Sequence, residues 1–233
     1  MSDKNALITG ASKGIGKAIA LRLGQLNYSL LLIGRDSKEL ISAAKECEDQ
    51  GATVSVRAGD LTDDSFRETL VPFALDSLGF VDVLINNAGS SDSAPIQEAD
   101  LVAWDKVLDL NVRTALHLSR NVLPHMIERR RGAVINISSI QGSSVVPMGG
   151  IYCATKHAIN GLTGCMFEDV REYGIKVSSI MPGYVETRMT KHMKKVTANM
   201  LAPDDVADAV EYVLSSSSRC CPTELVLRPQ RAP

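Results

Sequence analysis

The chain has 233 residues, 45% of them hydrophobic, and its 25 Lys and Arg nearly balance 27 Asp and Glu, for a formal net charge of −2. That length suits one α/β domain over residues 1–233 with a single sizeable core, and the even charge argues against nucleic acid as the main partner. No apolar run approaches the roughly 18 residues of a membrane span, and the polar stretch Met1 to Asn5 does not read as a secretory signal.

Strands are predicted at Asn5–Thr9, Ser29–Ile33, Thr53–Ala58, Val81–Asn86, Ala133–Ser138, Lys176–Met181 and Glu224–Arg228. Between them, helical patterns cover Ile15–Leu26, Ser37–Gln50, Asp64–Leu78, Leu101–Arg130, Tyr152–Glu172 and Asp204–Leu214. Strict alternation of strand and helix implies parallel strands with right-handed crossovers and helices on both faces. Cys47, Cys153, Cys165, Cys220 and Cys221 are an odd set without regular spacing. They fit reduced thiols in a cytoplasmic protein better than a disulfide framework or a zinc site.

The first strand–helix junction reads Thr9-Gly10-Ala11-Ser12-Lys13-Gly14-Ile15-Gly16. Glycines let a backbone approach a ligand closely, and a helix N-terminus offers unpaired N–H groups to phosphate. The spacing is a variant of the dinucleotide fingerprint; the plain alternative is a tight turn with no ligand. The second strand ends Ile33-Gly34-Arg35. An acidic residue there would hold the adenosine ribose of NAD, whereas Arg35, with Lys13 nearby, can clamp a 2′-phosphate and favours NADP. Two solvated surface charges are the alternative, and Asp36 can blur the preference. Asp60, with the Leu61 N–H beside it, is a candidate adenine contact or an ordinary turn residue.

Asn86-Asn87-Ala88-Gly89 closes the fourth strand, at the carboxyl end where open α/β sheets bind ligands. In the long helix that follows, Asn111 is a polar amide among the core candidates Trp104, Leu108, Leu110 and Val112. Ser139 follows the fifth strand, and Tyr152 and Lys156 stand four apart at the head of the next helix. Positions i and i+4 share a face, so an ammonium beside the phenol is expected to lower its pKa toward neutrality. That suits an acid/base catalyst, although such pairs also occur as plain helix support.

Taken in order, Thr9-Gly10-x-x-x-Gly14-x-Gly16, Asn86-Asn87-Ala88-Gly89, Asn111, Ser139, Tyr152-x-x-x-Lys156 and Pro182-Gly183 resemble the short-chain dehydrogenase/reductase family along essentially the whole chain. The resemblance implies a doubly wound Rossmann-type domain with a seven-stranded parallel sheet, and an oxidoreductase using NADPH on a ketone or aldehyde. In that family pattern Tyr152 is the general acid, Lys156 tunes it and holds the nicotinamide ribose, and Ser139 holds the substrate oxygen. Asn111 positions a water that relays a proton to Lys156. Pro182, Gly183, Val185 and Thr187 lie against the nicotinamide. Together with Gly10, Ser12, Lys13, Gly14, Ile15, Gly16, Arg35, Asp60, Leu61, Asn87, Ala88 and Gly89 they form the expected cofactor site.

Ile140, Gln141, Val146, Met148 and Tyr184 are the expected substrate contacts, mostly apolar. Glu186–Leu201, with Met189, Met193 and Met200, reads as a substrate lid or as plain packing. Arg129-Arg130-Arg131 either docks an acidic carrier, as a 3-oxoacyl thioester reductase acting on carrier-bound substrate would need, or complements the helix dipole. The tail Pro222–Pro229 lacks the Gly-Gly with which many family members end. Small residues along the Tyr152 helix and the family pattern suggest a homodimer or homotetramer. Two further alternatives are a non-catalytic NADP-binding sensor or scaffold and an epimerase or dehydratase on the same fold.

Overall fold

The structure is a computed structural model that describes residues 4–191 and 197–233. Its strands are β1 (Asn5–Thr9), β2 (Ser29–Gly34), β3 (Val54–Ala58), β4 (Val83–Asn86), β5 (Gly132–Ile137), β6 (Ile175–Pro182) and β7 (Glu224–Leu227). The helices are α1 (Gly14–Gln25), α2 (Ser37–Glu48), α3 (Asp64–Leu78), α4 (Leu101–Leu108), α5 (Thr114–Arg129), α6 (Gly150–Val170) and α7 (Pro203–Ser215). All strands pair in parallel, in the order β3-β2-β1-β4-β5-β6-β7. The Rossmann-type seven-stranded sheet expected from the alternation is therefore present, with element ends shifted by one or two residues, the usual uncertainty at frayed termini.

Successive side chains of a strand point to opposite faces. Leu7, Leu31, Leu84 and Val134 accordingly join one apolar layer with Leu70, Leu118, Val122 and Met166 of α3, α5 and α6. Their neighbours Ile8, Leu32, Ile85 and Ile135 join the other layer with Ile19, Leu23, Val206 and Val210 of α1 and α7. Burial on both faces explains why the central strands carry apolar runs rather than alternating patterns. Aspartates start three of the helices. Asp36 accepts from the Lys38 and Glu39 amides, Asp63 from Ser65, and Asp100 from Val102 and Ala103.

One element departs from the expected pattern. The helix anticipated as one piece from Leu101 to Arg130 is interrupted by a π-helical turn at Asp109–Arg113. The wider turn inserts one extra residue, which rotates the following positions. Asn111 consequently faces the interior at 4% exposure.

A polar chain crosses the apolar core beneath the sheet's carboxyl edge. Asn86 and Asn136 are register partners on β4 and β5. Asn86 Nδ2 donates to Asn136 Oδ1 at 2.8 Å and to Ser119 Oγ at 3.2 Å, while Asn136 Nδ2 donates to Thr163 Oγ1 at 2.8 Å. Both strands are thereby tied to α5 and α6 by buried hydrogen bonds. Removing one member strands the others without water. Asn136→Leu should therefore cost about 2–3 kcal/mol in urea unfolding, whereas a loss below about 0.5 kcal/mol would show that the network carries no net stability.

Candidate active site

Strand order reverses between β1 and β4, and α/β sheets bind ligands at such a reversal. A cleft of about 920 Å³ opens there, large enough for an extended organic ligand. The β1–α1 turn forms its floor. Gly10 takes a φ of 65° and Gly14 one of 55°, both in the left-handed region that favours glycine. A Cβ at Gly16 would collide with the Gly10 carbonyl oxygen. Thr9 and Asn87 brace this turn. The Thr9 hydroxyl donates to Ile85 O and accepts from the Asn87 and Ala88 amides, and Asn87 Nδ2 donates to the carbonyls of Thr9 and Gly10.

Of the residues expected to hold the cofactor, Ser12, Lys13, Gly14, Ile15, Arg35, Leu61, Ala88 and Gly89 line the cleft with Gly10 and Asn87. Gly16 supports the turn from behind. Asp60 does not line the cleft; its Oδ1 accepts from the Thr62 amide and hydroxyl, so the carboxylate is spent on its own turn. The Asp36 carboxylate is likewise taken up by the amides of α2. Lys13 and Arg35 do not form a free pair of cations, because Lys13 Nζ sits 2.5 Å from Glu39 Oε2. Glu39 lay outside the sequence-based site and also rims the cleft.

Ser139, Tyr152 and Lys156 meet at the other end. Ser139 and Tyr152 line the same end of the cleft, and Ser139 Oγ accepts from the Gln141 amide at 3.2 Å. Lys156 Nζ donates to Ile137 O at 2.8 Å and lies 5.5 Å from the Tyr152 ring centre. The expected lowering of the phenol by its cation is not what burial produces. Burial pushes Tyr152 above its usual value, with the Ser139 side chain opposing it. Lys156 is itself pushed down to about 8 by burial, which thins the very charge that was to stabilise phenolate. Asn111 donates to Ser90 O at 2.8 Å and to Thr155 Oγ1 at 3.1 Å, and accepts from Ser90 N at 2.8 Å. Its amide thus fastens the loop after β4. A cavity of about 10 Å³, roughly one water in size, lies between Asn111 and Lys156.

Pro182, Gly183, Val185 and Thr187 form the third wall, with Tyr184. The chain around them is pinned. Gly183 N donates to Leu227 O, Glu186 N to Leu201 O, and Leu201 N to Tyr184 O. The two feet of the expected Glu186–Leu201 lid are therefore bridged. Met189 faces the cleft, and Met193 lies outside the described residues. The terminal segment packs against the same region. Pro229 Cδ would lie 3.0 Å from a Cβ at Gly183, and Asn199 Nδ2 donates to Ala232 O at 2.8 Å.

Gln141, Met148 and Tyr184 line the cleft beside Ile140 and Val146. Arg129, Arg130 and Arg131 do not form a free basic cluster. Arg129 stacks 3.7 Å from the Phe80 ring centre, Arg130 donates to Glu172 O at 2.8 Å, and Arg131 Nε lies 3.0 Å from Asp82 Oδ1. These three arginines hold the end of α5 to the sheet.

Arg67 went unnoticed in the sequence because nothing marks a charge on an exposed-looking helix as buried. It is fully buried, donates to Leu61 O at 2.6 Å and pairs with Asp109 at 3.1 Å and with Asp64. Leu61 belongs to the cleft and Asp109 to the π-helical turn that carries Asn111. Thr114 Oγ1 joins the same two residues through their carbonyls.

A model of the short chain dehydrogenase family matches residues 4–198. An uncharacterized oxidoreductase of Staphylococcus epidermidis is 33% identical over 229 residues, 98% of each chain. Among solved structures, a metagenomic short-chain oxidoreductase in complex with NADP is 31% identical, with a TM-score of 0.87 over 99% of this chain and 98% of the other. An alcohol dehydrogenase from the archaeon Thermococcus sibiricus, complexed with 5-hydroxy-NADP, is 28% identical, with a TM-score of 0.90 over 99% and 98%. The cleft and fold define a nicotinamide-dependent oxidoreductase. This chain belongs to the short-chain dehydrogenase/reductase family. No helix among the described residues is long and apolar enough to cross a membrane.

Two predictions follow from the buried charges. The unfolded Lys156 keeps its proton to about 10.5 and the folded one to about 8. Between those values the unfolded state binds more protons, so stability rises with pH. Relative to Lys156→Met, the parent protein should therefore gain stability from pH 8 to 10 in thermal melts, and a flat difference would contradict a depressed lysine. Arg67→Met should cost about 3 kcal/mol in urea by leaving Asp109 without its buried partner, and adding Asp109→Asn should recover part of that loss.

Proposed function

We propose that the protein interconverts a ketone or aldehyde and its alcohol, with NADP as the cofactor. The observation that carries this reading is that Ser139, Tyr152 and Lys156, the last one helical turn on, line the same cleft as the Gly10–Gly14 turn. When bound, the reduced nicotinamide supplies a hydride to the carbonyl carbon; the protein supplies position and a proton.

Negative charge develops on the carbonyl oxygen as the hydride arrives. Ser139 and Tyr152 are two donors converging on one place, the arrangement that stabilises such an oxygen. Tyr152 gives its proton to that oxygen and completes the alcohol. The raised phenol pKa favours the protonated form, which suits the reductive direction. Lys156 would hold the nicotinamide ribose, and a water of the size that fits the small cavity it shares with Asn111 would return a proton toward Tyr152. Gly10, Ser12, Gly14, Ile15 and the α1 N-terminus cradle the pyrophosphate.

Arg35 supports NADP over NAD. It rims the cleft at the end of β2, while Asp36, the acid that would bind an unphosphorylated ribose, is committed to capping α2. Lys13 serves the same phosphate once it leaves Glu39. With Arg129–Arg131 all occupied within the chain, a free small-molecule carbonyl is favoured over a carrier-bound acyl thioester. We place the protein in the cytoplasm as a homodimer or homotetramer; sedimentation that returns a monomer at micromolar concentration would remove the latter.

The test is nicotinamide absorbance across a carbonyl panel. Tyr152→Phe should lower kcat by about a thousandfold and Ser139→Ala by about a hundredfold, each with NADPH binding within about twofold of the parent. Binding without turnover on any carbonyl would leave a sensor instead. Arg35→Asp should move the NADPH-to-NADH preference by at least about tenfold; an unchanged ratio would mean that the 2′-phosphate is held elsewhere.

A further inference from the structure

Behind the Val146–Gly149 loop lies a second depression of about 590 Å³. Ala94, Ile96, Val145 and Ala154 wall it, with Cys153 and His157 from α6. Ile96 and Val145 stand 75% and 77% exposed, and Val146 and Met148 are exposed as well. Single exposed apolar side chains are ordinary, but a contiguous set around a concavity marks a ligand surface.

The groove and the cleft lie on the two sides of one shared loop. Val146, Pro147, Met148 and Gly149 line both. Tyr152 faces the cleft and the next residue, Cys153, faces the groove. Met148 stands on the ridge between them with a φ of 62°, a left-handed conformation that costs free energy for a residue with a Cβ. Strain of this kind gathers where ligands are held. Among the described residues no Lys or Arg lines the groove, and the ring Nδ1 of His157 is within 2.9 Å of Cys153 O.

We infer that the groove receives the uncharged apolar tail of the substrate. The chain crosses the Met148 ridge, and its carbonyl end meets Ser139 and Tyr152. The substrate class is a ketone, or the matching alcohol, carrying an aliphatic arm of several carbons with no charged terminus. This rests on the carbonyl-reducing reading above. The chemistry is unchanged: a hydride from the nicotinamide to the carbonyl carbon and a proton from Tyr152 to the oxygen.

The sole tryptophan of the chain reports on the groove independently of turnover. Trp104 Cη2 would lie 3.1 Å from a Cβ at Gly150, beside Ile96, and its Nε1 donates to Asp92 of the cleft at 3.1 Å. Tail binding therefore alters the surroundings of the one indole.

The experiment uses full-length protein with NADPH and 2-alkanones from four to twelve carbons, reading kcat/KM and Trp104 fluorescence. The inference expects kcat/KM to climb about threefold per added methylene until the groove is filled, with Trp104 emission shifting for long ketones only. Val145→Ser and Ile96→Ser, each referenced to its own rate on butanone, should flatten that climb. A flat series with no emission change would overturn the inference while leaving carbonyl reduction intact. A climb untouched by either variant would overturn it too, and loss of self-association in Ile96→Ser would then mark the patch as a subunit contact. An emission shift with long ketones, weakened by Val145→Ser, would uphold the groove even if no ketone were turned over and the catalytic reading failed.

Discussion

The crevice exists because one hydroxyl and one amide hold it open. Where the strand order reverses, the connections leaving β1 and β4 diverge, and the peptide groups just beyond the paired residues need other partners. The Thr9 hydroxyl makes three of the replacement hydrogen bonds, and Asn87 makes two more onto the glycine turn. Buried backbone groups left unpaired would each cost on the order of 1–3 kcal/mol. The ligand floor and the strand reversal are therefore stabilised by the same few atoms. Below them, Asn86, Asn136 and Thr163 fix α6 against the sheet, and so fix the helix that carries Tyr152 and Lys156.

At the reacting end, burial opposes charge on both partners. Tyr152 is pushed toward the neutral phenol and Lys156 toward the neutral amine. A proton shared between such groups rests on the phenol, the state from which it is given to a carbonyl oxygen. The hydrogen bonds from Lys156 to Ile137 O and from the Gln141 amide to Ser139 Oγ limit how far each group can swing. Geometry is fixed here more firmly than ionisation.

Much of this was legible in the sequence. Strand and helix follow directly from apolar runs alternating with amphipathic stretches, and Gly10, Gly14 and Gly16 announce a turn that only glycine can make. Tyr152, Lys156 and Ser139 are brought together as their spacing implied. What stayed hidden depends on who pairs with whom across the fold. Nothing local distinguishes an Arg that serves a helix end from one that reaches out for a partner, so Arg129–Arg131 read either as helix-end charge or as a carrier-docking patch. Glu39 pairs with Lys13 from a separate helix, and Asp36, at the rim of the cleft, also caps α2. The π-helical turn brings Asn111 inward to Ser90 and Thr155, a tertiary arrangement with no signature in helical periodicity. Arg67 is the extreme case, a charge on an amphipathic helix that only the finished packing reveals as buried.

The carboxyl-terminal segment has a practical consequence for anyone preparing this protein. Pro229 rests on Gly183 and the Ala232 carbonyl accepts from Asn199, so the last residues brace the wall opposite Tyr152. An affinity tag or fusion partner appended after Pro233 pulls on that brace. One placed ahead of Lys4, where the chain enters β1 at the amino edge of the sheet, works from the far side of the molecule and leaves the wall undisturbed.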